Sequence, residues 1–258
     1  MVNDIEEQLT SLVKLLKEKQ GDNLLGVYLY GSLTMGCFNP ESSDIDVLVV
    51  SKKSLNSEEK EAFGKFLLEF QKTLSNKLSL TVVAKNNLEN FVYPTPYEFE
   101  FPDEENIGYK DGGLDESIAA HIVFIKKRGR ALHGKPIEEL FQDVSSENYL
   151  KSIAHSAEWS FNNVMKGQNN GTCRVPNYAV LNYCRILAYL AEGLVASKKE
   201  GGEWGIQNLP KTYQTLIQEA LKEYAKKNSS ELVDAGLLKQ FTQYAQDKIE
   251  VAVNNLNQ

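Results

Sequence analysis

The sequence predicts two bodies: an α/β N-terminal domain built on a mixed sheet with flanking helices, and an all-α C-terminal helical-bundle domain. Two observations predict this. In the first half, short β-branched runs at Val27 to Tyr30, Ile45 to Val50 and Leu78 to Ala84 alternate with amphipathic stretches. From about residue 145 the strand signals vanish and only long helical periodicities remain. The join is expected within 137–147, giving domains of 1–144 and 145–258.

Ile5, Leu9, Leu12, Val13 and Leu16 recur at helical spacing behind a cap at Asn3 or Asp4, with Gly21 as the stop. Gly31 and Ser32 break the first strand and open a short helix. After the second strand, Ser57 is the expected cap of a helix that buries Ala62, Phe63, Phe66, Leu67, Phe70 and Leu74. In YPTPYEFEF, Pro94 and Pro96 mark a turn or edge. Tyr97, Phe99 and Phe101 then alternate with Glu98 and Glu100 in the period of a strand. A helix is expected from Asp115 to about Arg130, with HGKP as the turn after it. The C-terminal helices are placed near 146–166, 177–196, 201–208, 212–227 and 235–255, with Pro176 in a first-turn position.

The chain has 258 residues, 42% hydrophobic and 24% charged, ordinary for a soluble globular protein. Its net charge of −7 argues against a general nucleic-acid binder and fits a cationic small-molecule partner. No stretch reads as a secretory signal or a membrane span, so a cytoplasmic protein, a monomer away from membranes, is expected. Cys37, Cys173 and Cys184 form no CxxC pair and read as reduced thiols, with no zinc site.

The chemistry concentrates in YLYGSLTMGCFNPESSDIDVLVV, residues 28–50. Asp44 and Asp46 project from one face of a strand, about 7 Å apart along it. Two such carboxylates repel unless a cation lies between them, and Mg²⁺ takes carboxylates together with phosphate oxygens and water. Gly31 admits a phosphate close to the backbone, and Ser32 adds a hydroxyl donor. Glu98 and Glu100 share a face of the later strand, and either can serve as a proton acceptor.

The order strand, Gly-Ser, short helix, Asp-Ile-Asp, strand resembles the signature of the DNA-polymerase-β-like nucleotidyltransferases. YPTPYEFEF, DESIAAHI, RGRALHGKPIEELF, LNYCRILAYL and SKKEGGEWGIQNLP are similar in order and spacing to the aminoglycoside 3″/9 adenylyltransferases, which modify streptomycin and spectinomycin. The resemblance implies a nucleotidyltransferase domain at 1–144 and a helical domain at 145–258 that clamps ATP and substrate. It implies Mg²⁺ and ATP as co-substrate at Asp44 and Asp46, and it selects Glu98 as catalytic base. It places Lys198 (with Lys199 adjacent) and Tyr244 on ATP, and Arg185 either on a phosphate or in a core-edge salt bridge. Trp159 and Trp204 read as core anchors, and His121 as structural. Where streptomycin-using members carry a tryptophan and acids, this chain has KGQNNGTCRVPNYAV, which favours spectinomycin-like acceptors.

The reaction expected is transfer of AMP from ATP to a hydroxyl with release of pyrophosphate. A second Mg²⁺ about 3.5–4 Å from the first is usual in such displacements. The acids of residues 98–116 are a candidate rim for an ammonium-bearing substrate. The alternatives are modification of another small molecule or a protein, and a non-catalytic nucleotide sensor.

Overall fold

The computed structural model describes residues 2–41, 43–102, 108–166, 176–225 and 234–257. It divides into two compact units, Met1–Val144 and Ser145–Gln258.

In the first unit, helix α1 (Val2–Gln20) leads into strand β1 (Leu24–Tyr30). A 3₁₀ turn at Gly31–Leu33 and a loop follow, then strand β2 (Ile45–Ser51), helix α2 (Ser57–Gln71), strand β3 (Leu78–Ala84) and the short helix α3 (Lys85–Glu89). Three short strands come next, β4 (Thr95–Tyr97), β5 (Phe99–Phe101) and β6 (Gly113–Asp115). Helix α4 (Ile118–Arg128), strand β7 (Arg130–Gly134) and helix α5 (Ile137–Leu140) complete the unit. The main sheet runs β5-β3-β2-β1-β7, and β4 pairs with β6 in a separate ribbon. Only β2 and β3 are parallel, as the α2 crossover between them requires; the other pairs are antiparallel.

The alternation of β1 to β3 sorts their side chains onto two faces. Val27, Leu29, Val47, Val49, Leu80 and Val82 pack under α1 and α2 with Leu12, Leu16, Phe63 and Leu67. On the opposite face Tyr28 packs edge-on against Phe141 and Tyr30 lies against His121 of α4. Asp46 belongs to this second face, because it is the strand partner of Tyr30.

Several elements differ from the sequence expectation. The cap of α2 is Asn56, whose Oδ1 accepts from Glu59 N–H while Glu59 accepts from Asn56 N–H. Asp115 ends β6, and its carboxylate accepts from Ser117 N–H at 2.6 Å, so α4 starts three residues later than expected. The expected single strand across 97–101 is two strands in different sheets, joined at Glu98.

The second unit holds helices α6 (Ser146–Lys166), α7 (Pro176–Glu192), α8 (Lys198–Asn208), α9 (Gln214–Tyr224) and α10 (Ala235–Asn254). The bundle centres on α7, whose residues from Ala179 to Cys184 are all buried. Gly201 lets α8 press on it, since a Cβ there would stand 2.6 Å from the Arg185 Cα. Trp159 is 45% exposed and Trp204 partly buried with its Nε1–H donated to Glu192, so Trp159 is not a core anchor. Among the described residues no helix is long and apolar enough to cross a membrane.

Candidate active site

The Asp-Ile-Asp segment stands at the start of β2. Ile45 is 1% exposed and belongs to the core under α1 and α2, which turns Asp44 and Asp46 to the other face. Both carboxylate residues keep partial exposure. Gly31 lies against Asp46: its φ is +74°, and a Cβ there would stand 1.9 Å from Asp46 Oδ2. The carbonyl of Gly31 accepts from Thr34 N–H, Met35 N–H and the Thr34 hydroxyl, which fixes the turn. A turn of three residues contributes oriented N–H groups and no appreciable dipole.

The loop before Asp44 is held by a residue that sequence reading passed over. Asn76 is 5% exposed, and its Nδ2 donates to Pro40 O at 2.9 Å and to Ser43 O at 2.8 Å. Ile45 N–H donates to Lys77 O. The backbone on both sides of Asp44 is therefore anchored to the segment entering β3.

Tyr30 adds a second unforeseen element. Its hydroxyl hydrogen-bonds His121 Nδ1 at 3.2 Å, and the two rings lie 4.8 Å apart. Burial pushes the phenol well above its ordinary value, and Asp46, Asp115 and Glu100 push it further. Three carboxylates thus lie within electrostatic reach of one buried hydroxyl. His121, read in the sequence as structural, packs on Tyr30.

Glu98 is not brought to the aspartates. Its carboxylate accepts from the Ser54 hydroxyl at 3.1 Å and from Leu55 N–H at 3.2 Å, beyond the far end of β2. From Asp46 to Ser51 that strand is about 17 Å long. The cause is local. Glu98 N–H donates to Val82 O although the strand partner of Val82 is Phe99, so two residues oppose one and the face alternation breaks. Glu100 keeps the register, opposite Thr81 and on the face of Asp46, and pairs with Lys110 at 3.2 Å.

The acidic rim is likewise dispersed. Asp111 pairs with Lys60, and Asp115 holds the start of α4. Asp103, Glu104 and Glu105 lie outside the described residues, as do Cys173 and residues 167–175 of the stretch on which spectinomycin was favoured. Cys37 Sγ stands 3.9 Å from Ser32 O, and Cys184 is buried.

In the helical unit, Lys198 is the first residue of α8, behind a Ser197–Glu200 capping box. A cation there opposes the helix dipole, at a cost of about 0.3–1 kcal/mol, and joins it in attracting an anion. Its Nζ stands 4.2 Å from the Tyr178 ring and 5.9 Å from that of Tyr224. Tyr244 is elsewhere, against Tyr213 and Phe241. Tyr213 precedes α9 and Tyr224 ends it, so Lys198 and Tyr244 sit toward opposite ends of a helix about 16 Å long. Tyr178 and Tyr224 are the tyrosines beside this lysine. The Nε–H of Arg185 donates to the buried Asn182 at 2.9 Å. Lys199 reaches out toward Glu203.

The donor set fits Mg²⁺. Asp44 and Asp46 supply hard oxygens, and among the described residues no group of three or more His, Cys, Asp or Glu could cage a metal by itself. An ion held here takes its other ligands from phosphate and water, the habit of Mg²⁺ at nucleotide sites.

Two protein families match the chain. The nucleotidyltransferase domain matches residues 9–111, and the C-terminal domain of aminoglycoside adenylyltransferase matches residues 139–248. An aminoglycoside (3″)(9) adenylyltransferase of Escherichia coli is 24% identical, with 98% of each chain covered. A spectinomycin 9-adenylyltransferase of Enterococcus faecalis is 22% identical, over 86% of this chain and 88% of its own. A crystal structure of spectinomycin adenylyltransferase from Enterococcus faecalis, with ATP and spectinomycin, superimposes with a TM-score of 0.80 at 20% identity. The superposition covers 95% of this chain and 99% of the other, and it shows the shared fold.

Proposed function

We propose that the chain is a nucleotidyltransferase of the aminoglycoside adenylyltransferase kind, which it resembles over both domains, and that it transfers AMP from ATP to a hydroxyl of a spectinomycin-like aminocyclitol. The observation that carries the reading is the contact of Gly31 with Asp46. A strand end, a glycine turn and the Asp46 carboxylate meet where only backbone fits beside the acid. Asp44 and Asp46 would hold Mg²⁺, which when bound supplies charge neutralisation to the triphosphate. The turn after β1 offers the N–H groups of Ser32 and Leu33 and the Ser32 hydroxyl to phosphate oxygens. From the helical domain, Lys198 and Arg185 are the proposed phosphate partners, and Tyr178 and Tyr224 supply aromatic faces beside Lys198.

Positioning and charge neutralisation carry most of such a transfer, because little covalent chemistry falls to the protein. Spectinomycin is preferred to streptomycin for two reasons. Residues 167–175 contain neither tryptophan nor acid, and the structural relative described above was crystallised with spectinomycin. The proposed enzyme acts as a cytoplasmic monomer without nucleic acid.

The test incubates the protein with ATP, Mg²⁺ and a panel holding spectinomycin, streptomycin and further aminoglycosides, read by pyrophosphate release and product mass. The expected result is a spectinomycin–AMP adduct that requires Mg²⁺ and Asp46. Absence of any adduct across the panel would reject the antibiotic substrate.

A further inference from the structure

The geometry points to Glu100 as the carboxylate that takes the proton from the acceptor hydroxyl, with Lys110 as the residue that positions it. This assignment rests on nucleotidyl transfer at Asp44 and Asp46. It replaces Glu98, which the structure ties to Ser54 and Leu55 at the other end of β2.

The register supplies the first reason. Asp46 pairs with Ser79 on β3, and Glu100 pairs with Thr81 two residues further along β3. All four side chains share one face. The neighbour of Asp46 on β3 is therefore a serine, and the next residue on that face of β3 is a buried threonine. Neither hydroxyl is a base at neutral pH. Crossing the sheet from Asp46 toward β5, Glu100 is the first carboxylate among the described residues.

Distance supplies the second. Two strand spacings across and two residues along place the α-carbons of Asp46 and Glu100 about 12 Å apart. Each side chain covers part of that gap, which leaves room for an α-phosphate and one hydroxyl. The reacting oxygen must lie about 3–3.5 Å from phosphorus and about 3 Å from its base. Asp115, the other acid near this face, is engaged at the start of α4.

Lys110 supplies the third. Its backbone exchanges hydrogen bonds with Glu100 at 3.1 and 2.9 Å, and its Nζ stands 3.2 Å from Glu100 Oε2. Lys110 thus fixes where the carboxylate stands on the face it shares with Asp46. In the reaction, the acceptor oxygen bonds to the α-phosphorus as its proton passes to Glu100. The bond from α-phosphorus to the bridging oxygen breaks, and its electron pair leaves with pyrophosphate.

The experiment compares Glu100→Gln, Glu98→Gln, Lys110→Ala, Lys110→Arg and Asp46→Asn with ATP, Mg²⁺ and spectinomycin. Glu100→Gln is expected to lose about 10²–10⁴-fold in kcat, the usual contribution of a general base, with ATP affinity within threefold of wild type. Lys110→Ala should lower kcat several-fold at unchanged KM for ATP, with recovery in Lys110→Arg. Glu98→Gln should cost less than tenfold. Wild-type kcat in Glu100→Gln, or a larger loss in Glu98→Gln, overturns the assignment. If Asp46→Asn retains wild-type turnover, or the wild type modifies nothing in the panel, the underlying nucleotidyl-transfer reading falls and takes Glu100 with it. An inactive Asp46→Asn beside a fully active Glu100→Gln removes Glu100 alone.

Discussion

Replacing Gly31 with alanine separates two physical effects when set beside the same change at Gly36. Both glycines are left-handed, with φ of +74° and +69°. An L-residue in that region costs about 1–2 kcal/mol. For a chain of this size each kcal/mol is worth about 2–4 °C, so each variant should melt some 2–8 °C below wild type from backbone strain alone. The two positions differ in what surrounds the new methyl. At Gly36 it meets nothing within 4 Å; at Gly31 it would stand 1.9 Å from Asp46 Oδ2 and 2.8 Å from its Cγ. Ordinary contact begins near 3.4 Å, so the Asp46 carboxylate must move by about 1 Å or more, and a misplacement of that size typically costs about 10²-fold. The assay is calorimetry with steady-state pyrophosphate release and a Mg²⁺ titration. Gly36→Ala should be destabilised but catalytically close to wild type, whereas Gly31→Ala should lose about 100-fold and need more Mg²⁺. Equal activities in the two variants would refute the claim that Gly31 exists to make room for the metal-holding acid.

Asn76→Ala removes two hydrogen bonds to loop carbonyls at a buried position, and each unsatisfied group costs about 1–3 kcal/mol. It should lower the melting temperature and reduce kcat at least tenfold through the loop that ends at Asp44; wild-type values for both would dismiss Asn76 as an anchor. The buried tyrosines set an alkaline limit. Burial raises Tyr28 to about 12; burial, with Glu116 and Asp115, raises Tyr93 to about 12; burial, partly offset by Arg185, raises Tyr149 to about 12. Tyr30 is raised as well. The folded state keeps protons that the unfolded state releases near pH 10, so this stability is intact below pH 10 and lost as pH climbs toward 12. Tyrosinate absorbance at 295 nm should show a delayed class coincident with unfolding, and a single transition near pH 10 in the folded protein would contradict it.

Much of the fold was legible because β1 to β3 and the five long C-terminal helices carry periodic runs longer than their turns. Leu78–Ala84 and Ser146–Lys166 match the expected bounds, and the other helices differ by a few residues at their ends. The elements missed are short. β4, β6 and β7 have three to five residues each, too few for a period to stand out, and they pair with partners distant in sequence. Asp44, Asp46 and Gly31 were legible because their relation is local to one strand–turn–strand unit. Asn76 was not, since a buried asparagine that holds a distant loop looks in sequence like any turn residue.

Glu98 shows where linear pattern fails for a physical reason. The alternation Tyr97, Glu98, Phe99, Glu100, Phe101 assigns faces correctly only along an unbroken strand. Here the chain leaves the ribbon with β6 after Tyr97 and joins the main sheet at Phe99, and the residue at the change of sheets is free of the alternation. That freedom lets Glu98 accept Leu55 N–H just before α2 while Glu100 stays in register. The tyrosines of the helical unit are a second case: Tyr224 and Tyr244 lie in amphipathic helices twenty residues apart, and only the position of α9 against α8 decides that Tyr224 stands beside Lys198. In both cases the partner is set by a contact that no local period encodes. Asp46 escapes this failure, since it lies inside β2, paired with Tyr30 on β1 and Ser79 on β3, where its alternation with Ile45 and Val47 is unbroken.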